Sequence, residues 1–138
     1  MLKFHFEIKR SVITFLWILI VLFVFSTCKT TETKELEVTA SAYNSLPEQT
    51  HRDHANIGAW GDTLKPGMKA IAVSRDLIEM GLTRNELVEI EGLPGKFRVL
   101  DKMNKRWVQK IDIYMGINQE RAREWGTQQV TIRWEVEK

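Results

Sequence analysis

Apolar and polar residues alternate over several short stretches of the chain, and this alternation predicts β-strands. In LEVTASAY (residues 36–43), every second residue from Leu36 onward is apolar. In KIDIYM (residues 110–115), two isoleucines and a methionine alternate with Asp112 and Tyr114. Four further stretches, rich in apolar or β-branched residues, predict strands at 69–76, 86–92, 96–101 and 128–136. Six short strands with little helix favour a small β-barrel.

Two other stretches carry the signals of short helices. DLIEMGL (76–82) begins with Asp76, a suitable N-cap, and NQERAREWG (118–126) begins with Asn118; each has a glycine at or near its end. The segment 44–62 contains Pro, Gly, Asn and Asp and lacks periodicity, which predicts a loop. Loops of this length in small domains are often functional.

The N-terminal segment differs from the rest of the chain. Residues 11–25 form an uncharged and largely apolar run that follows three basic residues. This pattern predicts an apolar helix within residues 1–28, as a cleaved signal peptide or an uncleaved membrane anchor. The basic flank places the remainder outside the cytoplasm. Cys28, the only cysteine, follows the run as the lipidated cysteine of bacterial lipoproteins does, so it is a candidate lipidation site.

The remainder of the chain is predicted to be a short polar tether, residues 29–35, and one domain, residues 36–138. The leader holds three of the 20 basic and one of the 18 acidic residues, so 17 of each remain. Nucleic-acid-binding proteins concentrate basic residues on one surface. The balanced charge of this domain therefore argues against a nucleic-acid partner.

Two aspartates interrupt or end the predicted strands. Asp112 lies between two isoleucines, and Asp101 ends the strand KFRVLD, where simple alternation places it on one face with Phe97 and Val99. An ionised carboxylate is costly to bury without a partner. Each aspartate therefore either faces solvent at a turn or meets the other in a cleft.

The run HRDH, residues 51–54, contains the residue types that bind metals. It lies in the long loop, includes an arginine and lacks a distant further ligand, so a solvated or substrate-contacting loop is favoured over a metal site. We expect no metal and no other cofactor.

Three stretches resemble, in order, the three-aspartate (3D) domain: GDTLKPGMKAIAVS, then VLDKMNKRWVQKIDIYMG, then AREWGTQQVTI. The resemblance covers roughly residues 36–136. This domain is shared by the membrane-bound lytic transglycosylase A family and by small stationary-phase muralytic proteins. The resemblance implies a mainly β fold, a six-stranded double-psi β-barrel. It also implies an enzyme that cleaves peptidoglycan glycan strands without water and forms a 1,6-anhydro product.

The same resemblance implies roles for individual residues. Asp112, in the sequence Asp-Ile-Tyr, corresponds to the catalytic acid/base, and Asp101 corresponds to its partner. Ser74 stands where the family has its third aspartate. Aromatic side chains near the matched stretches are suited to stacking on sugar rings. The residues expected to contact substrate are Tyr43, Trp60, Thr63, Ser74, Lys102 and Trp107.

Glycosidic cleavage needs an acid that protonates the leaving oxygen and a group that stabilises the positive centre at C1. Two neighbouring carboxyl groups in an apolar setting raise the pKa of one of them, which suits an acid at neutral pH. The expected function is lytic transglycosylase activity on peptidoglycan in the bacterial cell envelope, with the leader as the membrane tether of an outer-membrane lipoprotein. The alternatives are a non-catalytic glycan-binding module and a hydrolase that uses water.

Overall fold

The computed structural model describes residues 30–45 and 56–137, which form a closed barrel of six β-strands. The strands are β1 (Thr31–Tyr43), β2 (Ala70–Val73), β3 (Leu87–Ile90), β4 (Lys96–Lys102), β5 (Lys110–Tyr114) and β6 (Gln128–Glu137). In this part of the chain two short helices, α1 (Arg75–Glu79) and α2 (Gln119–Trp125), follow β2 and β5. The prediction of a mainly β, six-stranded barrel with short helices is confirmed.

The strands follow the order β1-β5-β2-β4-β3-β6 around the barrel, and β6 closes it on β1. Within the described residues the pairs β1–β5 and β2–β4 are parallel, and the other four pairs are antiparallel. Strand β2 therefore lies between β4 and β5. Because β4 and β5 carry the two candidate aspartates, this order brings the aspartates to either side of one short strand.

Strand β1 is longer than its alternation predicts. It begins at Thr31 and runs antiparallel to β6 from the Thr31–Glu137 pair to the Ala40–Gln128 pair. The prediction that residues 31–35 belong to a tether is therefore wrong. Their side chains are mostly exposed, so the stretch shows no apolar alternation, although its backbone pairs with β6 along one side.

The interior of the barrel is filled by apolar side chains from all six strands. Its fully buried residues include Val38, Ile71, Val88, Val99, Ile111 and Ile132. In β5 the predicted alternation is confirmed, because Ile111 and Ile113 are buried in the core while Asp112 lies on the opposite face. Burying a Val or Ile side chain stabilises the fold by roughly 1.5–3 kcal/mol, so these residues fix the register of each strand.

The two helices begin in different ways. The side chain of Asn118 accepts a hydrogen bond from the Arg121 backbone N–H at 2.9 Å, which confirms the predicted N-cap of α2. Helix α1 is preceded by Ser74, so the prediction of Asp76 as its cap is wrong. The Asp76 carboxylate instead accepts a hydrogen bond from the Gln109 N–H at 2.9 Å, and thereby holds the segment that leads into β5.

Some predictions fall on other parts of the chain. The apolar leader with Cys28 and the HRDH run at residues 51–54 lie outside the described residues. Over residues 30–45 and 56–137, no helix is long and apolar enough to cross a membrane.

Candidate active site

The outer face of β5 carries the first candidate carboxyl group. Asp112 is in register with Ser41 of β1 on one side and with Ala72 of β2 on the other. Residues in register on neighbouring strands share a face of the sheet. Ser41, Asp112 and Ala72 therefore form a row across three strands, on the face opposite to the core residues Ile111 and Ile113.

A β-bulge in β4 brings Asp101 to the same face. Strands β2 and β4 pair Ile71 with Val99 but Ala72 with Asp101, so Leu100 is an extra residue. One extra residue reverses the alternation beyond it. The prediction that Asp101 shares a face with Val99 is therefore wrong: Val99 lies in the core, whereas Asp101 lies beside Ala72.

The carboxylate row, defined as Ser41, Asp112, Ala72 and Asp101, thus crosses four neighbouring strands. Neighbouring strands lie about 4.8 Å apart, so two strand spacings separate the Cα atoms of the aspartates by about 10 Å. Ala72, between them, is only 5% exposed, so neighbouring side chains cover it. The two carboxyl groups therefore flank a short strand that is largely shielded from solvent.

Backbone N–H groups hold Asp101 from two sides. Its Oδ1 accepts hydrogen bonds from the Ala59 N–H at 2.6 Å and from the Lys102 N–H at 2.8 Å. Gly58 permits this close approach, because a Cβ atom at that position would lie 2.5 Å from the Leu100 carbonyl oxygen. Hydrogen bonds to a carboxylate are stronger than those between neutral groups, so Asp101 is fixed in position.

A salt bridge secures the loop that contacts Asp101. The Arg84 guanidinium donates to both carboxylate oxygens of Asp62, at 2.7 and 2.9 Å. The carbonyl oxygen of Asp62 accepts a hydrogen bond from the Gly58 N–H at 2.8 Å. Arg84 is therefore linked to Asp101 through this loop and helps to position it without touching it.

The carboxyl oxygens of Asp112 are less fully hydrogen-bonded than those of Asp101. It is partly buried, and within the described chain its buried Oδ1 has no hydrogen-bond partner. Burial raises the pKa of Asp112 above the ordinary aspartate value of 3.8; the Ser41 hydroxyl and the Lys110 ammonium oppose this rise, and the charge of Asp101 adds to it. Asp112 therefore keeps its proton to a higher pH than an exposed aspartate does.

Two tyrosines lie on the same face, two residues beyond the row. Tyr43 and Tyr114 are in register, with ring centroids 5.5 Å apart, and the Tyr114 hydroxyl lies 2.7 Å from the Ser45 hydroxyl. The Tyr43 hydroxyl is buried and has no hydrogen-bond partner among the described residues. Burial, with the charges of Asp101 and Asp112, holds the pKa of Tyr43 far above its usual range. Its hydroxyl therefore stays protonated and is available as a donor.

The other residues expected to contact substrate are spread around the row. Trp60 is partly buried against the core, and the Lys102 ammonium lies 5.6 Å from its ring centroid. Trp107 is 37% exposed, and the Lys110 ammonium lies 3.8 Å from its ring centroid. Thr63 is exposed and forms an isolated antiparallel bridge within its own loop. Each tryptophan ring is thus covered by a lysine that lies within two residues of a candidate aspartate in sequence.

Ser74 follows β2 and is fully buried, so it is not part of the row. Its side chain is 0% exposed. Its N–H donates to the Lys110 carbonyl oxygen at 2.9 Å, and its Oγ accepts from the Lys110 N–H at 3.0 Å. Ser74 therefore fixes the start of β5 and is not brought to the surface beside Asp101 and Asp112.

Ser41, Lys110 and Arg84 are polar residues of this site that were not among those predicted. Ser41 and Lys110 had a signal in the sequence, because each is a polar residue on the outward side of a strand that alternates. Arg84 had none, because its link to the site depends on a contact with Asp62, 22 positions away in the chain.

Within residues 30–45 and 56–137, no group of three His, Cys, Asp or Glu side chains is arranged to hold a metal ion. The chain matches no protein family and no curated protein. Function therefore has to be inferred from the geometry and chemistry of the row.

Proposed function

We propose that the protein is a lytic transglycosylase that cleaves the glycan strands of peptidoglycan, with Asp112 as its acid/base. The observation that carries the proposal is the state of Asp112, a partly buried carboxyl group with a raised pKa and an unpartnered oxygen within the described chain. It shares a face with a second carboxylate, Asp101. The order of sequence elements that resembles the 3D domain supports the same assignment, and on that resemblance we assign the barrel to the double-psi type.

The first step of the proposed reaction breaks the bond between C1 and the glycosidic oxygen. Protonated Asp112 donates its proton to that oxygen as it leaves. Positive charge develops at C1 in the transition state. The carboxylate of Asp101, fixed by two backbone N–H groups, supplies negative charge on the other side of Ala72 and stabilises that centre.

The second step closes a ring within the same sugar. Its 6-hydroxyl oxygen attacks C1 and forms the 1,6-anhydro bond, and Asp112, now a carboxylate, accepts the hydroxyl proton. One C–O bond is broken and one is formed, Asp112 regains its proton, and water is not consumed. The Tyr43 hydroxyl is buried, so we assign it no contact with the sugar; it stays protonated near the two carboxyl groups.

The proposal places the barrel in the envelope of a bacterium, outside the cytoplasm. The uncharged run after three basic residues supports a signal peptide or an anchor within residues 1–28. Cys28 supports lipid attachment, which would make the protein an outer-membrane lipoprotein. The partners are then peptidoglycan strands at the barrel and a membrane at the leader.

A second candidate function is glycan binding without catalysis. It is favoured by Ser74, which stands where the 3D domain has its third aspartate and which is fully buried. The row then offers two carboxyl groups, and one oxygen of Asp101 is already occupied by two backbone donors. Hydrolysis by water at the same carboxyl groups is the third possibility.

The deciding experiment is to incubate the full-length protein with purified peptidoglycan and to analyse the released fragments by mass spectrometry. A lytic transglycosylase releases muropeptides that end in a 1,6-anhydro sugar. A hydrolase releases reducing ends, which borohydride converts to alcohols. Sedimentation with the polymer and no released fragment would favour the binding module, and neither release nor binding would reject peptidoglycan as the partner.

A further inference from the structure

The segment between β4 and β5 is anchored at both ends and open in the middle. The Met103 N–H donates to the Val73 carbonyl oxygen at 2.9 Å, and the Gln109 N–H donates to the Asp76 carboxylate at the same distance. Between these anchors the side chains are exposed, and Val108 has 67% of its surface in solvent. The chain therefore builds a defined loop here whose tip has no packing role in the barrel.

This loop concentrates positive charge. The cation loop, defined as residues 102–110, contains four basic residues and no acidic one: Lys102, Lys105, Arg106 and Lys110. None of the four forms an ion pair with a described residue, which distinguishes them from Arg84 and Arg133. Three of them lie over aromatic rings instead, at 5.6, 5.0 and 3.8 Å from the ring centroids. Their charges are thus held in place and not neutralised.

The cation loop borders the carboxylate row. Lys102 directly follows Asp101, and Lys110 shares the outer face of β5 with Asp112, two residues away. A polymer that lies across the row therefore passes along this loop. Repulsion by the Asp101 carboxylate alone would disfavour an acidic polymer, and the four nearby positive charges outweigh it.

We infer that the cation loop binds free carboxylate groups on the peptide branches of the glycan, an inference that rests on the proposed function. A lipid surface fits less well, because both Lys110 and Arg106 cover the Trp107 ring, which is then not presented for insertion into a bilayer. The substrate class that follows is a glycan with acidic substituents, and a neutral glycan is bound more weakly.

The test measures binding separately from cleavage. Full-length protein with Asp112→Asn is sedimented with purified peptidoglycan whose carboxyl groups are either free or amidated, at low and high salt. Adding Lys105→Glu and Arg106→Glu should weaken binding to the acidic polymer about tenfold at low salt, and much less at high salt. Binding of the amidated polymer should be weak for both proteins. Arg121→Glu with Arg123→Glu, on α2, is the control with the same change in net charge.

The outcomes separate this inference from the proposed function. Equal binding of free and amidated polymers, or equal weakening by the α2 control, would overturn the inference even if the unmodified protein releases 1,6-anhydro products. Carboxylate-dependent binding without any released product would support the inference and reject the catalytic proposal. Weaker binding to vesicles of anionic lipid after Lys105→Glu with Arg106→Glu, without any weakening of binding to peptidoglycan, would also overturn it. Lys105→Gln with Arg106→Gln, which removes charge without reversing it, should give a smaller loss in the same direction.

Discussion

The carboxylate row differs from the groove formed by β3, β4 and β6 in how its charged side chains are paired. The groove, about 420 Å³ in volume, carries charges that pair: Lys96 lies 3.6 Å from Glu89 and 3.9 Å from Glu135. In the row, Asp112 keeps a buried oxygen that has no hydrogen-bond partner within the described residues. Lys96 of the groove is therefore compensated by acidic neighbours, whereas this oxygen of Asp112 is not compensated by a donor from the described residues.

This difference teaches that volume is a poor guide to chemistry on this barrel. Exposed ion pairs stabilise a fold by between about 0 and 1 kcal/mol, and their charged groups are already occupied by each other. An unpartnered carboxyl oxygen that is partly buried costs free energy, and such costs are concentrated at functional sites. The indole N–H of Trp134 also has no hydrogen-bond partner among the described residues, but Trp134 belongs to the core and this N–H is a neutral donor that does not exchange charge with pH.

The largest effect should come from removing the acid in the row. Asp112→Asn keeps the shape of the side chain but cannot donate the proton, so release of 1,6-anhydro products should fall by about 10²–10⁴-fold, the range typical of a lost general acid. The matched change in the groove is Glu89→Gln, which breaks an exposed ion pair and should leave product release unchanged. Loss of activity in both variants, or in neither, would remove the distinction between the two regions.

A smaller effect should follow from disturbing the support of Asp101. In Gly58→Ala the added Cβ meets the Leu100 carbonyl oxygen, so the loop must move away, at a cost of about 1–3 kcal/mol in unfolding free energy. Because the loop carries the Ala59 N–H that binds Asp101, activity should also fall, by roughly ten- to a hundredfold.

The control for that change lies in the turn between β3 and β4, before the start of the strand that carries Asp101. Gly92 has φ +80° with open space around it, so Gly92→Ala should cost about 1–2 kcal/mol of stability through backbone strain alone. Urea unfolding and product release, measured on both variants, separate the two effects. If Gly92→Ala lowers activity as much as Gly58→Ala, the loop does not position Asp101.

The barrel could be predicted from the sequence because its inward residues alternate. Ile111 and Ile113 bury their side chains and leave Asp112 outside, as the pattern of β5 requires. The start of β1 could not be predicted in this way, since residues 31–35 are mostly exposed and are held by backbone pairing with β6 and by polar contacts such as the ion pair between Arg133 and Glu35. Apolar alternation indicates which side chains are buried. A stretch of strand that extends beyond the core buries few side chains and therefore shows no such alternation.

The sequence pointed to the two aspartates as candidates, but it did not predict the geometry that the structure gives them. KFRVLD has the alternation of a regular strand, yet Leu100 packs with the outer residues Leu64 and Tyr114, and this bulge turns Asp101 away from the core. Ser74 had the appearance of a polar residue at a strand end, but its hydroxyl is used by the backbone of Lys110. Both results depend on contacts between distant strands, which local periodicity does not encode.

The smallest effect should be a dependence of stability on pH that has opposite signs in the two regions. Burial raises the pKa of Asp112 in the folded state above its ordinary value of 3.8, so the folded protein binds this proton more tightly than the unfolded chain. Stability should therefore fall as pH rises from about the unfolded value through the raised folded value, and remain lower above it. The melting temperature of Asp112→Asn, relative to the unmodified protein, should rise across that window and then level off.

Glu91, which follows β3 beside the groove, should give stability the opposite dependence on pH. Hydrogen bonds from Thr131 lower the pKa of Glu91, so its carboxylate stabilises the fold above the unfolded pKa, and this contribution is lost as pH falls through the folded value. Glu91→Gln should therefore be less stable than the unmodified protein near neutral pH, and the difference should vanish in acid. Melting temperatures of both variants over the same pH series test the contrast directly: two curves of the same sign would mean that Asp112 is not held in its proton-retaining state by burial.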